Sequence, residues 1–560
     1  MKNSIKVCPQ YIEISCDRDD ITTQTMAYSI PYIHTNRTRT AFTTSVRNID
    51  TVINLFRDVN KLPSKVHDIY NNEMQRREAT QKLLTDGPTG SKGWLYTHQQ
   101  LGRELAKVNS RFAFFYDTRT GKTPMSLQII ADDIAANPDH KWLVLCPLIL
   151  IENAWLPDAK TFFPELKVVN LHDTSKVERL KKYKLQANLY ISNIESFVKY
   201  EQYIRQLPIH GCFVDESSSM KSSSSLFGKA AVKYSFDINQ WYLLSGAPAP
   251  NGEWEYYRQL QSIDYFGIHQ SYSKFKDCFF SNVSRSPQFE KLVIKPEKAA
   301  ELLSILKKYS LYVDKEDVLT TPGRDIIPYQ ITMPKELKEN YKKFKSELYL
   351  EAVNGRIIIT DSAGGKYNKL NQISSGFIID TGAVRENKIA RNNKVINYVP
   401  KEEAYFLSDF KLAAVDNILQ NIGNEQCIIW ANYHKEFDVL KEHLGSKCDL
   451  VYGAVNITQK NKVLKDFKEG RIQYLIANPA SANKGLTLTN AHFNIYYSMN
   501  YSYELWKQSI ERIYGDISKQ KNKCFYYILL ATGTIDEVIF ETVLNKGDMG
   551  QAVLSHLKGV

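Results

Sequence analysis

Residues 117–123 read DTRTGKT, and they follow directly on the apolar run RFAFFY (111–116). That junction constrains the chain more than any other feature. A buried strand that ends in a Gly-Lys-Thr turn and continues into a helix-spaced apolar segment, here PMSLQII (124–130), turns the first amides of a helix outward. The helix dipole favours negative charge there. Lys122 is then expected to reach the β- and γ-phosphates of a nucleoside triphosphate, with Thr120 and Gly121 completing the loop and the Thr123 hydroxyl on Mg2+. A second string, FVDESSSMKS at 213–222, closes another apolar run, HGCFVDE (210–216). Asp215 is expected to hold the Mg2+, and Glu216 to polarise the attacking water. At the carboxyl end of a parallel strand, both acids stand where open α/β sheets bind ligands. The first glycine of the GxxxxGK(S/T) pattern is absent, and Arg119 lies within the loop.

The rest of the chain alternates in the same style. KWLVLCP (141–147), ANLYISN (187–193), HGCFVDE and QWYLLSG (240–246) are apolar runs ended by polar or turn residues, which predicts a parallel sheet with helices on both faces over 89–262. QCIIWAN (426–432), IQYLIAN (472–478) and FNIYYSM (493–499) predict a second such lobe over 406–560. Between them, 263–405 reads as a helical insert and linker. EKAAELLSILKKYSLYV and PKELKENYKKFKSELYLEAV have helical spacing, and TDSAGGKYN reads as a loop. Residues 1–88 predict a small α+β domain, with a strand at YIEIS (11–15) and an amphipathic helix at NIDTVINLFRDV (48–59). QKLLTDGPTGSKGW (81–94) reads as a linker. The fold class is therefore α/β, with two lobes, a helical insert and an N-terminal accessory domain.

Charge narrows the partners. Lys and Arg number 72 against 61 Asp and Glu, a net charge of +11 that suits a polyanion. None of the eight cysteines has CxxC spacing, and Cys146 and Cys212 lie inside apolar runs, so they read as reduced core residues rather than zinc ligands. The longest apolar runs fall short of a membrane span, and the N-terminus lacks a signal-peptide apolar region. The expectation is a soluble protein of a bacterial or infected-host cytoplasm, without membrane contact and monomeric.

Taken in order, the strings resemble the motifs of the superfamily-two helicases, and within them the Swi/Snf-type double-stranded-DNA translocases, over roughly 92–545. LYTHQQLG (95–102) is similar to the adenine-reading segment, which makes Gln99 the base contact. LVLCPLILIENAW (143–155) is similar to the LIVCP…W motif that touches the nucleic-acid backbone. DESSSMKS resembles DEAHxxKN, with Ser218 and Ser222 at the histidine and asparagine positions. LLSGAPAPNGEWEYY (243–257) resembles LTGTPxxNxxxELW, the string most specific to this branch; Ser245, Gly246 and Pro248 form a small-residue turn suited to sensing nucleotide state. ANPASANKGLTLTNAHFNIYYSMNYSYELWKQSIERIYG (477–515) resembles motifs V and VI. The resemblance implies two RecA-like lobes, ATP and Mg2+ as ligands, and tracking on double-stranded or branched DNA. It further implies nucleic-acid contacts at Pro147, Asn193, Asn432, Lys484 and Thr487, a nucleotide contact at Gly485, and catalytic roles for Gln508 and the arginine finger Arg512.

The match departs from the family at two places. Arg119 stands where many relatives carry glycine, and Gly515 stands where motif VI, QxxxRxxRxGQ, has its second arginine. Three readings of the second departure stay open: Arg512 suffices, Lys519 substitutes, or turnover is slow. The expected function is ATP-driven remodelling of branched or protein-bound DNA in replication, recombination or repair. The alternative is a nucleotide-binding DNA clamp or assembly subunit with weak turnover. An RNA helicase is disfavoured by motif III and the insert. Residues 29–56 resemble, loosely, the HARP-like modules of fork-remodelling translocases, which would set Arg37, Arg39 and Arg47 on DNA phosphates.

Overall fold

The computed structural model describes residues 4–56, 64–88, 93–284, 290, 292–347, 349–351, 357–359, 363–380, 386–389, 395–398, 403–481, 488–516, 518 and 520–555. The chain divides into two units, 1–318 with 548–560, and 319–547.

The first unit opens with β1 (Ser4–Val7), β2 (Tyr11–Ser15), β3 (His34–Thr35) and β4 (Ala41–Ser45), an antiparallel sheet in the order β1-β2-β4-β3. Ile12 and Ile14 alternate inward along β2, as a sheet buried on one face requires. They meet Ile49, Val52 and Phe56 from the helix Ile49–Phe56. Arg47 does not stand at the surface, as a phosphate contact would. It is buried, with Nη1 donating to Lys308 O (3.0 Å), Nη2 to Arg111 O (3.2 Å), and its guanidinium 4.5 Å from the Tyr309 ring centre. These two carbonyls and the ring offset the cost of burying the cation, and they join the small sheet to its neighbour. Arg37 and Arg39 remain exposed on the β3–β4 turn. The stretch read as a linker begins inside the helix Ser64–Asp86, which carries 81–86.

The main sheet of this unit contains β5 (Arg111–Tyr116), β6 (Lys141–Cys146), β7 (Val168–Asn170), β8 (Leu189–Asn193), β9 (Ile209–Asp215) and β10 (Gln240–Leu244). A short hairpin, β11 (Phe280–Asn282) with β12 (Leu292–Ile294), precedes a seventh strand, β13 (Ser310–Val313). The order is β13-β5-β10-β9-β6-β8-β7, and every pairing is parallel. The helices divide its apolar faces into two clusters, one around Trp241 and Tyr256, the other around Trp142 and Trp155.

In the second unit β14 (Arg324–Ile331) is followed by three antiparallel pairs. These are β15 (Tyr349–Glu351) with β16 (Ile357–Ile359), β17 (Phe377–Asp380) with β20 (Glu403–Phe406), and β18 (Glu386–Ile389) with β19 (Val395–Tyr398). The sheet is completed by β21 (Cys427–Trp430), β22 (Cys448–Val451), β23 (Tyr474–Ala477), β24 (Phe493–Tyr496) and β25 (Cys524–Ala531). Its order is β14-β25-β24-β21-β23-β22, again all parallel. Two parallel sheets of seven and six strands, each flanked by helices, are the two RecA-like lobes implied by the motifs. The stretch 263–405 does not stand apart as an insert, because it gives β13 to one sheet and β14 to the other. TDSAGGKYN is partly helical, in the helix Ala363–Ser374, whose Leu370 and Ile373 enter the second core. All eight cysteines are free thiols, and burial pushes the Cys146 and Cys212 thiols well up. Among the described residues no helix is long and apolar enough to cross a membrane.

Candidate nucleotide site and its rim

The phosphate loop leaves β5 at Asp117 and enters the helix Lys122–Ala136 through its N-cap, Gly121, which adopts a left-handed φ of +79°. No side chain caps that helix, so its first-turn amides stay available to an anion. Arg119 is also left-handed, at φ +65°, which explains why glycine is the easier residue at that point. The loop is held from behind. His98 Nε2 donates to Thr120 O (2.8 Å), and Gln99 Nε2 donates to Thr120 O (3.0 Å) and Gly121 O (3.3 Å). Gln99 Oε1 accepts from Tyr96 N (3.0 Å), so both ends of this buried amide are engaged. A Cβ on Gly121 would lie 1.9 Å from Gln99 Nε2, so a side chain there would have to displace the glutamine amide. Thr120 Oγ1 closes the turn on Asp117 O (2.7 Å). Lys122 Nζ donates to Tyr116 O (2.9 Å) and Asp117 O (3.1 Å), which keeps the ammonium beside the loop. Thr123 is the next residue of the same turn.

The acid pair stands two strands away. Phe114 on β5 and Asp215 on β9 both face Leu244 of the intervening β10, a separation of roughly 10 Å between strand axes. Asp215 is buried, accepting on Oδ1 from Glu216 N (3.0 Å) and on Oδ2 from Trp155 Nε1 (2.9 Å). Burial pushes its carboxyl up, against the opposing pull of Lys122, the Trp155 bond and the Glu216 amide. Glu216 adopts φ +54°, a left-handed conformation costly for a side chain of its size and typical of residues held for function. Ser217 Oγ donates to Gln259 Oε1 (2.8 Å), and Gln259 Nε2 donates to Pro248 O (2.8 Å). The acid turn and the motif III turn are thereby joined through one buried side chain. Gly246 in that turn packs on the phosphate loop, since a Cβ there would meet Thr118 Cγ2 at 3.1 Å and Thr118 N at 3.2 Å. The acid and motif III turns are hydrogen-bonded through Gln259 and the phosphate loop packs on the motif III turn at Gly246, so the three lie together at the carboxyl edge of the sheet. Its donor set, a carboxylate and a hydroxyl beside an ammonium and free helix amides, fits a Mg2+-bound triphosphate.

Sequence reasoning missed Gln259, which lies beyond motif III with no local signal, and it gave Trp155 to the nucleic-acid motif rather than to Asp215. The rim residues are more enclosed than expected. Pro147, after β6, is buried. Asn193, at the end of β8, is buried too, donating from Nδ2 to Glu195 Oε2 (2.7 Å) and accepting from His172 Nδ1 (3.2 Å).

In the second lobe Asn432 follows β21. Its Nδ2 donates to Ser498 O (2.8 Å), and its Oδ1 accepts from Asn500 Nδ2 (2.8 Å). Below it lies buried Glu436, whose Oε2 accepts from the amides of Asn432 (2.8 Å) and Tyr433 (3.1 Å) and from Ser498 Oγ (2.8 Å). Gln508 lies on the helix Tyr503–Ile510 with its Oε1 buried and unpaired, and Arg512 Nε donates to Gln508 O (2.9 Å). Lys484, Gly485, Thr487 and Lys519 lie outside the described residues.

One other cluster is chemically suggestive. Asp133, His140 and His210 converge at the opposite, amino edge of the first sheet. The two imidazoles stack with centres 3.5 Å apart and planes 13° from parallel, so their in-plane lone pairs run side by side rather than meeting at one ion. Asp133 Oδ2 already accepts from His140 Nδ1 (3.0 Å) and Trp142 Nε1 (2.8 Å).

Known proteins are similar to this chain in sequence. "Putative protein p41" of Acyrthosiphon pisum secondary endosymbiont phage 1 is 23% identical over 467 residues, covering 78% of this chain and 93% of its own. "DNA repair and recombination protein RDH54" of Saccharomyces cerevisiae strain RM11-1a is 24% identical over 484 residues, 78% of this chain. The chain spans about half the length of that yeast relative, at 50%. A solved structure, the "Sulfolobus solfataricus SWI2/SNF2 ATPase core in complex with dsDNA", aligns with 83% of this chain and 95% of its own at 17% identity and a TM-score of 0.35. The model of the SNF2-related domain matches residues 44–379, and that of the helicase conserved C-terminal domain matches 410–514. With the first of these covering more than half its length, and the phosphate loop, acid pair and motif III assembled in one edge of its sheet, the chain belongs to the SNF2-related family of helicase-superfamily ATPases.

Proposed function

We propose that this protein is an ATP-dependent DNA translocase that tracks on duplex DNA and remodels branched or protein-bound DNA in recombination, repair or replication. The observation that carries the reading is the single assembly of phosphate loop, acid pair and motif III turn, joined through Gln99, Gln259 and Gly246. Lys122 and the amides after Gly121 bind the β- and γ-phosphates of ATP, and Gln99 lies beside the adenine. Thr123 and Asp215 hold Mg2+, which when bound neutralises phosphate charge. Glu216 orients the attacking water and accepts its proton. Arg512, with Gln508 behind it, supplies the cation that balances transition-state charge. The segments that carry Pro147, Asn193, Asn432, Lys484 and Thr487 follow one strand's phosphates, and Gly485 completes the nucleotide contacts. Such contacts position DNA without reading its sequence.

The DNA repair and recombination protein named among the relatives supports DNA as the partner, and the phage relative supports action in an infected bacterial cytoplasm. The test is steady-state ATP turnover with no nucleic acid, duplex DNA, single-stranded DNA and RNA. Duplex DNA should stimulate most. Turnover that is indifferent to DNA, or stimulated most by RNA, would remove the translocase reading. A second reading, a nucleotide-binding clamp with weak turnover, is favoured by Gly515 at the second arginine position of motif VI. It predicts tight ATP binding with negligible hydrolysis in all four conditions.

A further inference from the structure

We propose that Trp155 is a positioning residue for Asp215, its indole N–H fixing the carboxylate in the orientation from which it takes up Mg2+ with the nucleotide. The inference rests on the reading of Asp215 as the metal carboxylate. An indole has one donor, and that of Trp155 goes to Asp215 Oδ2 at 2.9 Å, across a stretch where both side chains are buried. The Glu216 amide takes the other oxygen at 3.0 Å. One donor on each oxygen sets the plane of the carboxylate and leaves a lone pair on each for a cation.

The local backbone is built to deliver that contact. β6 lies beside β9, with Leu145 opposite Val214, so the chain leaving β6 starts next to the end of β9. It forms a short α-turn, Leu148–Leu150, and then a π-turn, Ile151–Trp155. Relative to an α-helix a π-turn carries an extra residue, which rotates everything after it by about 100°. Trp155 is the last residue of that turn and is fully buried, while Leu148, Glu152 and Asn153 in the same segment face solvent. Other buried tryptophans also satisfy their N–H: Trp241 on Ser262 Oγ (3.1 Å), and Trp430 on Asn494 Oδ1 (2.9 Å). Trp155 differs in its partner, which is the acid that closes β9 at the nucleotide edge.

The test uses the full chain and a fluorescent ATP analogue, titrated with and without Mg2+. Trp155→Phe keeps the aromatic volume and removes the donor. Metal-free nucleotide affinity should be unchanged, and the Mg2+ concentration at half-maximal enhancement of nucleotide binding should rise about tenfold, the worth of one hydrogen bond to a charged group. In an Asp215→Asn background, the same substitution should produce no further shift. A second measurement does not depend on that variant folding. With 15N-labelled tryptophan, one indole N–H resonance of the unsubstituted chain should move when Mg2+ joins the nucleotide complex, and Asp215→Asn should displace that same resonance. An unchanged Mg2+ midpoint in Trp155→Phe while Asp215→Asn responds, or no resonance obeying both conditions, overturns the positioning role alone. An unchanged midpoint in Asp215→Asn overturns it together with the metal reading of Asp215.

Discussion

Gly121→Ala should damage the phosphate loop in two separable ways. The left-handed φ of +79° is free for glycine, while an L-residue there costs about 1–2 kcal/mol. The new methyl would also sit 1.9 Å from Gln99 Nε2, so the amide must leave and give up its bonds to Thr120 O and Gly121 O. Losing those buried bonds adds about 1–3 kcal/mol, for a total of roughly 2–5 kcal/mol. In a Gln99→Ala background the methyl has room, and only the backbone cost of about 1–2 kcal/mol remains. The difference, about 1–3 kcal/mol, is a coupling energy that a double-mutant cycle measures directly. Urea unfolding of the four proteins, followed by tryptophan fluorescence, supplies the cycle, and fluorescent-nucleotide titration shows whether the displaced loop still binds phosphate. If Gly121→Ala costs the same with and without Gln99, the glutamine does not brace the loop.

Three other outcomes follow from the same geometry. Glu216→Gln should bind nucleotide like the unsubstituted protein while hydrolysing it at least ~10²-fold more slowly, and normal single-turnover kinetics would take Glu216 out of the base role. Gln259→Ala leaves Ser217 Oγ and Pro248 O without their partner, so it should cost about 2–4 kcal/mol in stability and lower DNA-stimulated turnover more than nucleotide affinity; equal losses in both would argue against a link between the acid and motif III turns. Arg47→Met should destabilise the first unit by about 2–5 kcal/mol through two abandoned carbonyls. It should leave the salt dependence of DNA binding unaltered, whereas a slope reduced by about 1 would make Arg47 a phosphate contact after all.

The strands of the first lobe were legible because parallel strands covered on both faces must be apolar throughout, and RFAFFY, KWLVLC and HGCFVD are that plainly. The phosphate loop was legible for a different reason: its chemistry is written in adjacent residues. What failed to show were arrangements that depend on distant parts of the chain. SLYV reads as the tail of a helix because Pro296–Tyr309 runs straight into it, yet β5 captures it as an edge strand. The glycine pair in TDSAGGKYN argues for a loop, but Leu370 and Ile373 gain enough from the second core to make the segment helical. Arg47 reads as a surface cation, because nothing nearby in sequence announces the Lys308 and Arg111 carbonyls that enclose it. Trp155 closes a helical turn and Asp215 closes β9, sixty residues apart, and only the pairing of β6 with β9 brings them together.

The central claim is that ATP hydrolysis at this edge drives movement along duplex DNA, and displacement of a third strand from a triplex tests it most directly. A duplex carrying a triplex-forming oligonucleotide beyond a free loading stretch is incubated with the protein and ATP. The account predicts release of the third strand with ATP and Mg2+, none with a non-hydrolysable analogue, and none with Lys122→Ala. Hydrolysis stimulated by the duplex without any release, or release that persists in Lys122→Ala, would contradict it.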